Sequence, residues 1–424
     1  MSEKFYKAST IFIILLFLVL TGCAGDEEQS EDIVTKWSLW STGTQLRGIN
    51  IWQKKIDPEV DGDFLGTGKF GPPFKKEDFE KLRSLGANYV NISHPGIYTV
   101  DQPYIADPDA LNNLKSLISL IGESDMFAVI SFRTGPGRSE YTFYFGEDFQ
   151  SDPENGWFDP KYYNEKVWKD ENAKRGWVNM WKKTAEEFND NPYVVGYDLM
   201  VEPNPSEVIL GISEPDEFYP EYRGSSYDWN SFFPDLISGI RESDINTPII
   251  VGAMFYSNLD WLPYLQIVSD TKTIYSFHQY SPYSYSHQER YSNINYPGKL
   301  DLNWDFIPDD FNKQWLTGFL NIADKFIKEN GVIVTANEFG CVRWAGNAKG
   351  FLDDEMEIFE SFGINYAIWA WSSGSEPYRS EVDAFDYLMG INPDNRKDIE
   401  DNELITVLKK YWSKNSSRPS NTRF

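Results

Sequence analysis

The chain has 424 residues, a formal net charge of −26, and 41% hydrophobic and 25% charged residues. That length can bury a substantial core, as one large domain or two ordinary ones. An acidic balance of this size excludes nucleic acid, which needs a basic footprint, and argues against a polyanionic substrate.

Aromatic residues are abundant, with 15 Trp, 25 Tyr and 29 Phe. Those that fall in loops suit a surface that stacks on a flat, amphipathic ligand. The first 22 residues have the layout of an export signal: Lys4 and Lys7, then an apolar run over 11–20 that is short for a membrane span. Leu20-Thr21-Gly22-Cys23 resembles the bacterial lipobox, which implies that Cys23 is lipidated and becomes the mature N-terminus. Residues 23–35 then read as the lipidated cysteine and an acidic tether, and the expected location is extracytoplasmic, anchored to a membrane. With Cys23 modified, Cys341 is the remaining thiol, so no internal disulfide forms. Cys341 itself reads as a small buried side chain. Three histidines in all, His94, His278 and His287, argue against a multi-histidine metal centre, and no cofactor is implied.

From residue 46 onward, strands and helices alternate. A strand over 46–51 precedes a Gly/Pro-rich loop, and Phe79, Leu82 and Leu85 show helical spacing over 76–85. Strands follow at 87–93 and 126–132, around a helix at 110–121. Val167, Met180, Trp181, Ala185 and Phe188 predict a helix that stops at Pro192, and a fourth strand starts at 193 and leads to Glu202-Pro203. A helix over 229–241, a strand over 248–253 and a short helix near 261–268 come next. Strand six covers 273–278 and a helix 311–328; strand seven runs from 331 to Glu338. A helix over 350–362, strand eight over 364–371 and a helix over 402–412 complete the pattern. Eight strands in alternation with helices predict an α/β fold, a (β/α)8 TIM barrel over 36–413, with a polar tail at 414–424 expected to fray. Helix-to-strand joins are tight, whereas 134–165, 203–228 and 279–310 are long strand-to-helix loops. In such a barrel the long loops gather on the catalytic face.

Strands four and seven both end on a glutamate, Glu202 and Glu338. Around an eight-stranded ring these two ends can face each other across the mouth. Paired carboxyls about 5–5.5 Å apart suit a retaining glycosidase, one attacking the anomeric carbon and the other trading a proton.

Five short motifs in this order resemble the cellulase-like glycoside hydrolase family 5. They are Leu46-Arg47-Gly48-Ile49-Asn50, Glu202-Pro203, His278-Gln279-Tyr280, Glu338-Phe339-Gly340 and Trp371-Ser372. The resemblance implies Glu202 as acid/base, Glu338 as nucleophile and Tyr280 as hydrogen-bond partner of the nucleophile. It also places His278 in the subsite beside the cleaved bond and Trp371 as the platform on which a sugar stacks, with Trp369 as packing. A β-linked glucan or mannan is the expected substrate, no cofactor is expected, and the enzyme is expected to be a monomer.

Two departures stand out. The family normally has Asn before the acid/base, donating to the sugar 2-hydroxyl; this chain has Val201, so either Asn204, Asn50 or another donor substitutes, or the substrate differs at that carbon. The family's Arg and His near the ends of strands two and three are here His94 and Arg133, as though exchanged. Arg133 is then expected to support Glu338, with a pairing to Glu140 in its own loop as the competing expectation. Rings of the 134–165 loop, among them Tyr141, Phe143, Tyr144, Phe145, Trp157, Phe158, Tyr162 and Tyr163, read as a self-packed loop with a few rings facing the cleft. Rival readings are a sugar-binding lipoprotein serving a transporter and a barrel that binds glycans without cleaving them.

Overall fold

The computed structural model describes residues 34–61, 64–144, 160–303, 305–375, 383–422 and 424. The export-like segment, Cys23, Phe145, Trp157, Phe158 and Trp304 lie outside them. Eight strands form the barrel: β1 (Arg47–Trp52), β2 (Tyr89–His94), β3 (Phe127–Phe132), β4 (Val194–Asp198), β5 (Ile249–Gly252), β6 (Thr273–Gln279), β7 (Ile333–Phe339) and β8 (Asn365–Ile368). Each pairs in parallel with its sequence neighbours, and β8 closes onto β1 with Gly48 opposite Ala367. The strands are buried on both faces, which is why they read as apolar runs more than as clean alternations.

Helices α1 (Lys76–Ser84), α2 (Pro108–Glu123), α3 (Glu171–Phe188), α4 (Phe233–Arg241), α5 (Lys313–Asn330), α6 (Ala348–Phe362) and α7 (Glu403–Trp412) lie between and after the strands. Their ends are fixed by local chemistry. Asp107, Asn312 and Asn402 accept from the first free amides of α2, α5 and α7. Left-handed Gly331 and Gly363 stop α5 and α6 and turn the chain straight into the next strand. The short helix expected near 261–268 is a 3-10 turn, Leu259–Tyr264, with Pro263 inside it. A proline there removes an amide that a longer α-helix would use.

The barrel interior has two layers. At the end where the strands begin, Leu46, Tyr89, Phe127, Val129, Val195, Ile250, Ile274 and Ala367 form an apolar plug. Leu39 and Trp40 of the short helix Ser38–Ser41 cap it, and Trp40 Nε1 donates to the Val195 carbonyl at 2.9 Å. Burying each such side chain stabilises the fold by about 1.5–3 kcal/mol, so this layer is a stability element. Where the strands end, the interior turns polar: Asn50, Asn91, Ser131, Asp198 and Asn337 are all buried.

The tail expected to fray is tied down. Asn415 donates to the carbonyls of Arg47 and Gly86, and Arg418 to those of Gly86 and Ala87. Phe424 packs its ring 5.9 Å from that of Phe127. Side chains that individually look like a polar tail satisfy main-chain acceptors where β2 is entered, a long-range pairing that composition does not encode. Among the described residues no helix is long and apolar enough to cross a membrane.

Candidate active site

The nucleophile candidate sits inside a strand. Against β6, the register of β7 slips between Ala336 and Glu338, and against β8 between Ala336 and Phe339. A bulge of this kind re-aims the side chains around it. Asn337 turns inward, where its Nδ2 donates to Asp198 Oδ2 at 2.7 Å, while Asn50 Nδ2 donates to the Asn337 carbonyl at 3.0 Å. Glu338, with its side chain 8% exposed, accepts a 2.7 Å hydrogen bond at Oε1 from the Tyr280 hydroxyl.

The second carboxylate sits outside its strand. β4 ends at Asp198, not at 200 as its apolar run suggests, and Glu202 lies four residues further on. Its φ is +53°, in the left-handed region, which costs a non-glycine residue about 1–3 kcal/mol. Glu202 Oε1 lies 2.8 Å from His278 Nδ1, and that nitrogen is 3.7 Å from Glu338 Oε2. Donor atoms from Glu202, His278 and Glu338 all fall within 4.8 Å of one another. Convergence this tight could hold a metal ion, but His278 and Glu202 already form a hydrogen-bonded pair, and Tyr280 occupies an oxygen of Glu338.

Burial works against a charge on His278, yet Glu338, Glu202 and Asp198 outweigh it and raise the imidazole to about 8. Burial likewise raises the Glu338 carboxyl to about 7; His278 opposes the rise and the charge of Glu202 adds to it. A carboxylate this close disfavours a second negative charge beside it. The hydroxyl of Tyr280 favours the charged form of Glu338 and so also opposes that rise. Beneath them burial raises Asp198 to about 6, against the pull of His278, Ser131 and Asn337.

Several expected ligand-facing residues are elsewhere. His94 is on the outer face of β2, because Asn91 and Ser93 take the inward positions; its Nε2 meets Asn113 Oδ1 at 3.1 Å. It packs between Phe70 and Phe132, and burial lowers it to about 4, so it is a neutral core imidazole and not a subsite residue. Asn50 is fully buried, its amide shared among the carbonyls of Asn337, Ala367 and Ile368, and its oxygen taken by Asn91. Asn204 is equally buried, with Oδ1 accepting from Arg138. Neither is placed to replace the asparagine lost at Val201, which is itself buried.

Arg133 pairs with Glu140 of its own loop at 2.8 Å and lies 3.6 Å over the Phe143 ring. The competing expectation therefore describes its ion pair, although its charge also lowers the carboxyl of Glu338. The two tryptophans of strand eight differ from the expectation in exposure. β8 ends at Ile368, so strand alternation gives neither a face, and Trp369 is half-buried. Trp371 is 5% exposed, packs in the hydrophobic core and donates its main-chain N–H to the Asn50 carbonyl at 2.8 Å. Tyr141 packs with Tyr162 and Tyr163 beside Val60, the self-packed part of the third loop. Cys341 is a buried free thiol, pushed well up by burial. His287 lies between Tyr280 and Tyr283, stacked on the latter at 4.0 Å.

Arg138, Asp198 and Asn337 were not singled out from sequence. Asp198 and Asn337 each carry a weak signal, a polar residue at an inward position of an otherwise apolar strand. Arg138 carries none, since it is one basic residue in a long loop.

A parallel (β/α)8 barrel that brings two carboxylates together across its mouth defines the class: a barrel glycosidase. Residues 41–375 match the model of Cellulase (glycosyl hydrolase family 5), and the chain belongs to that family. It is a β-glycoside hydrolase. Endoglucanase C of Acetivibrio thermocellus is 21% identical over 320 residues, spanning 69% of this chain and 82% of that protein. Cellodextrinase A of Ruminococcus flavefaciens is 22% identical over 247 residues, 57% of this chain and 60% of its own. Among solved structures, Thermotoga maritima Cel5A in complex with cellobiose superposes with a TM-score of 0.59 at 17% identity, covering 88% of this chain and 99% of that one. The cellulose synthase subunit Z of Clostridioides difficile gives 0.57 at 17% identity, over 86% and 99%.

Proposed function

We propose that the enzyme hydrolyses a β-linked glucan or mannan with retention of anomeric configuration, with Glu338 as nucleophile and Glu202 as acid/base. The observation that carries this reading is the approach of Glu202 and Glu338 to within 4.8 Å around His278. That spacing belongs with the ~5–5.5 Å of retaining enzymes and falls short of the ~6.5–9.5 Å that leaves room for a water. The substrate class is supported by the endoglucanases among the relatives and by the cellobiose and mannotriose complexes of Thermotoga maritima Cel5A.

In the first step Glu338 forms a bond to the anomeric carbon while the bond to the leaving oxygen breaks, and Glu202 gives that oxygen its proton. In the second, Glu202 takes a proton from water, the water oxygen attacks the anomeric carbon, and the Glu338 ester bond breaks. Tyr280 supports the charge on Glu338 before attack. His278, hydrogen-bonded to Glu202, orients its carboxyl. Trp369, the more exposed of the two strand-eight tryptophans, is the stacking ring beside the cleaved bond in this reading.

The lipobox-like Leu20 to Cys23 supports an extracytoplasmic enzyme anchored by lipid, acting on carbohydrate outside the cytoplasm. Replacing Cys23 with Ser is expected to release the protein from membranes. The catalytic reading is tested with a panel of aryl β-glycosides and polysaccharides, comparing wild type with Glu338→Ala. Hydrolysis that survives undiminished in the variant, or inversion of the anomer in the wild-type product, would refute it.

A further inference from the structure

We propose that Arg138 is a positioning residue for proton transfer: it grips the peptide carbonyls on either side of the Glu202 Cα and fixes the conformation from which the Glu202 carboxyl works. The proposal rests on Glu202 being the acid/base.

Main-chain pairing carries the chain only as far as Val201, whose N–H donates to the Phe132 carbonyl at 2.9 Å. One residue later Glu202 takes its left-handed turn, at φ +53°. A backbone in that region relaxes unless its surroundings over-determine it. The carbonyls that define the turn are both taken by one guanidinium: Arg138 Nη1 donates to Val201 O at 2.7 Å and Nη2 to Glu202 O at 2.6 Å. Nη2 also reaches Asn204 Oδ1 at 3.2 Å, and Nη1 the Arg133 carbonyl at 3.0 Å. Four acceptors from the ends of two adjacent strand-to-helix loops thus converge on a single side chain.

The clamp is itself rigid. Gly135 and Arg138 exchange both main-chain hydrogen bonds, closing a tight turn in which Gly137 has φ +70°. A Cβ on Gly137 would lie 2.8 Å from the Ala173 methyl and 2.9 Å from the Val167 nitrogen, so the turn is seated against α3 and the segment before it. Trp177 Nε1 of α3 donates to the Pro136 carbonyl at 2.9 Å. The guanidinium is fully buried, and its charge is met on the far side by Glu165, 3.4 Å from Nε. Trp168 holds the other Glu165 oxygen at 2.7 Å. A buried ion pair is weak evidence of stabilisation by itself. Its geometry gives the better explanation, since a planar fork with fixed donors orients two carbonyls in a way an ammonium cannot.

The test separates positioning from folding by leaving-group chemistry. Departure of a sugar needs a proton from Glu202, whereas departure of dinitrophenolate needs none. Arg138→Lys keeps the charge and loses the fork. Its kcat/KM is expected to fall ~10–100-fold on oligosaccharides, a part of the ~10²–10⁴-fold that general acid catalysis supplies, and by less than about threefold on the 2,4-dinitrophenyl glycoside that wild type accepts. On that activated substrate kcat and KM should fall together as deglycosylation slows, and azide should restore kcat. The burst of dinitrophenolate counts competent sites, so a loss of folded protein is recognised. Equal losses on both substrates with a full burst would overturn the proposal, as would unchanged activity on both. If Arg138→Lys does not fold, Glu165→Gln is read by the same ratio, and an unchanged ratio there overturns it. A wild type without hydrolysis removes the acid/base reading and this proposal together; an active wild type with a flat ratio removes this proposal alone.

Discussion

Glu338 and Glu202 face each other across a few ångströms, yet the molecule holds them by different means. Glu338 belongs to a strand, hydrogen-bonded into the barrel on both sides, with Asn50 on the carbonyl just before it and Tyr280 on its carboxylate. Glu202 has left its strand, and its backbone depends on Arg138, a side chain from the preceding loop. One group is fixed by the scaffold and the other by a part that could be altered without touching the scaffold. The chemistry accounts for the difference. A nucleophile needs one position in both steps, whereas the acid/base must serve a departing sugar and then an arriving water.

Removing the two groups breaks the comparison most severely. Glu338→Ala is expected to lose more than about 10⁴-fold in kcat on every substrate, since no covalent intermediate can form. Glu202→Ala should lose ~10²–10⁴-fold on oligosaccharides but much less on glycosides with an activated leaving group. If both variants lost activity equally on both substrate types, the division of labour between the strands would be wrong.

Next in size is the partner of Glu338. Tyr280→Phe leaves a buried carboxylate without its hydroxyl donor, a loss of about 1.5–3 kcal/mol or roughly 10–150-fold in turnover. Glu202→Gln sharpens the same point through pH. Burial raises the Glu338 carboxyl to about 7, and the charge of Glu202 adds to that rise. A neutral amide removes that push, so Glu338 ionises at lower pH and the acid limb for an activated glycoside should move down. In wild type the basic limb should follow loss of the His278 proton, which its carboxylate neighbours raise to about 8 against the effect of burial. An acid limb that stays in place would mean the two carboxyls do not sense each other.

How much of this was legible depended on whether the information was local. Strand ends, helix caps and the order of Glu202, His278, Tyr280 and Glu338 are written in short stretches, and eight alternations led to the barrel. Wrong placements came from residues whose meaning is set across the barrel. His94 lies one step past an inward-facing pair, and nothing near it in sequence says that Asn91 and Ser93 face in. Asn50 looks like a free donor until its amide is found spent on strands seven and eight. Arg138 finds three of its four acceptors more than sixty residues downstream, a relation that no periodicity carries.

The tryptophans of strand eight show the same limit and give a smaller test. Trp369→Ala is expected to weaken substrate by ~0.5–1.5 kcal/mol, a few-fold in KM, with little change in melting temperature. Trp371→Ala should do the reverse, destabilising the fold by about 3–5 kcal/mol through a cavity in the hydrophobic core. A melting-temperature and KM comparison of the pair would show at once if the assignment were inverted.

The smallest expected effect belongs to Arg133, and it bears most directly on how Glu338 is held. Were Arg133 the main support of Glu338, Arg133→Ala would cost as much as Tyr280→Phe. Its ion pair goes to Glu140, and what reaches Glu338 is a share of its field, which lowers that carboxyl. Removing the cation therefore raises Glu338, and the acid limb should move up, by less than Glu202→Gln moves it down, with kcat on the plateau nearly unchanged. Glu140 loses its partner in the same substitution and is buried, so some loss of stability is expected alongside. Arg133→Ala combined with Glu140→Gln should recover that stability and keep the pH shift. A collapse of plateau kcat in the double variant would return Arg133 to the support of Glu338 and make the scaffold's hold on that residue less self-sufficient than the strand geometry implies.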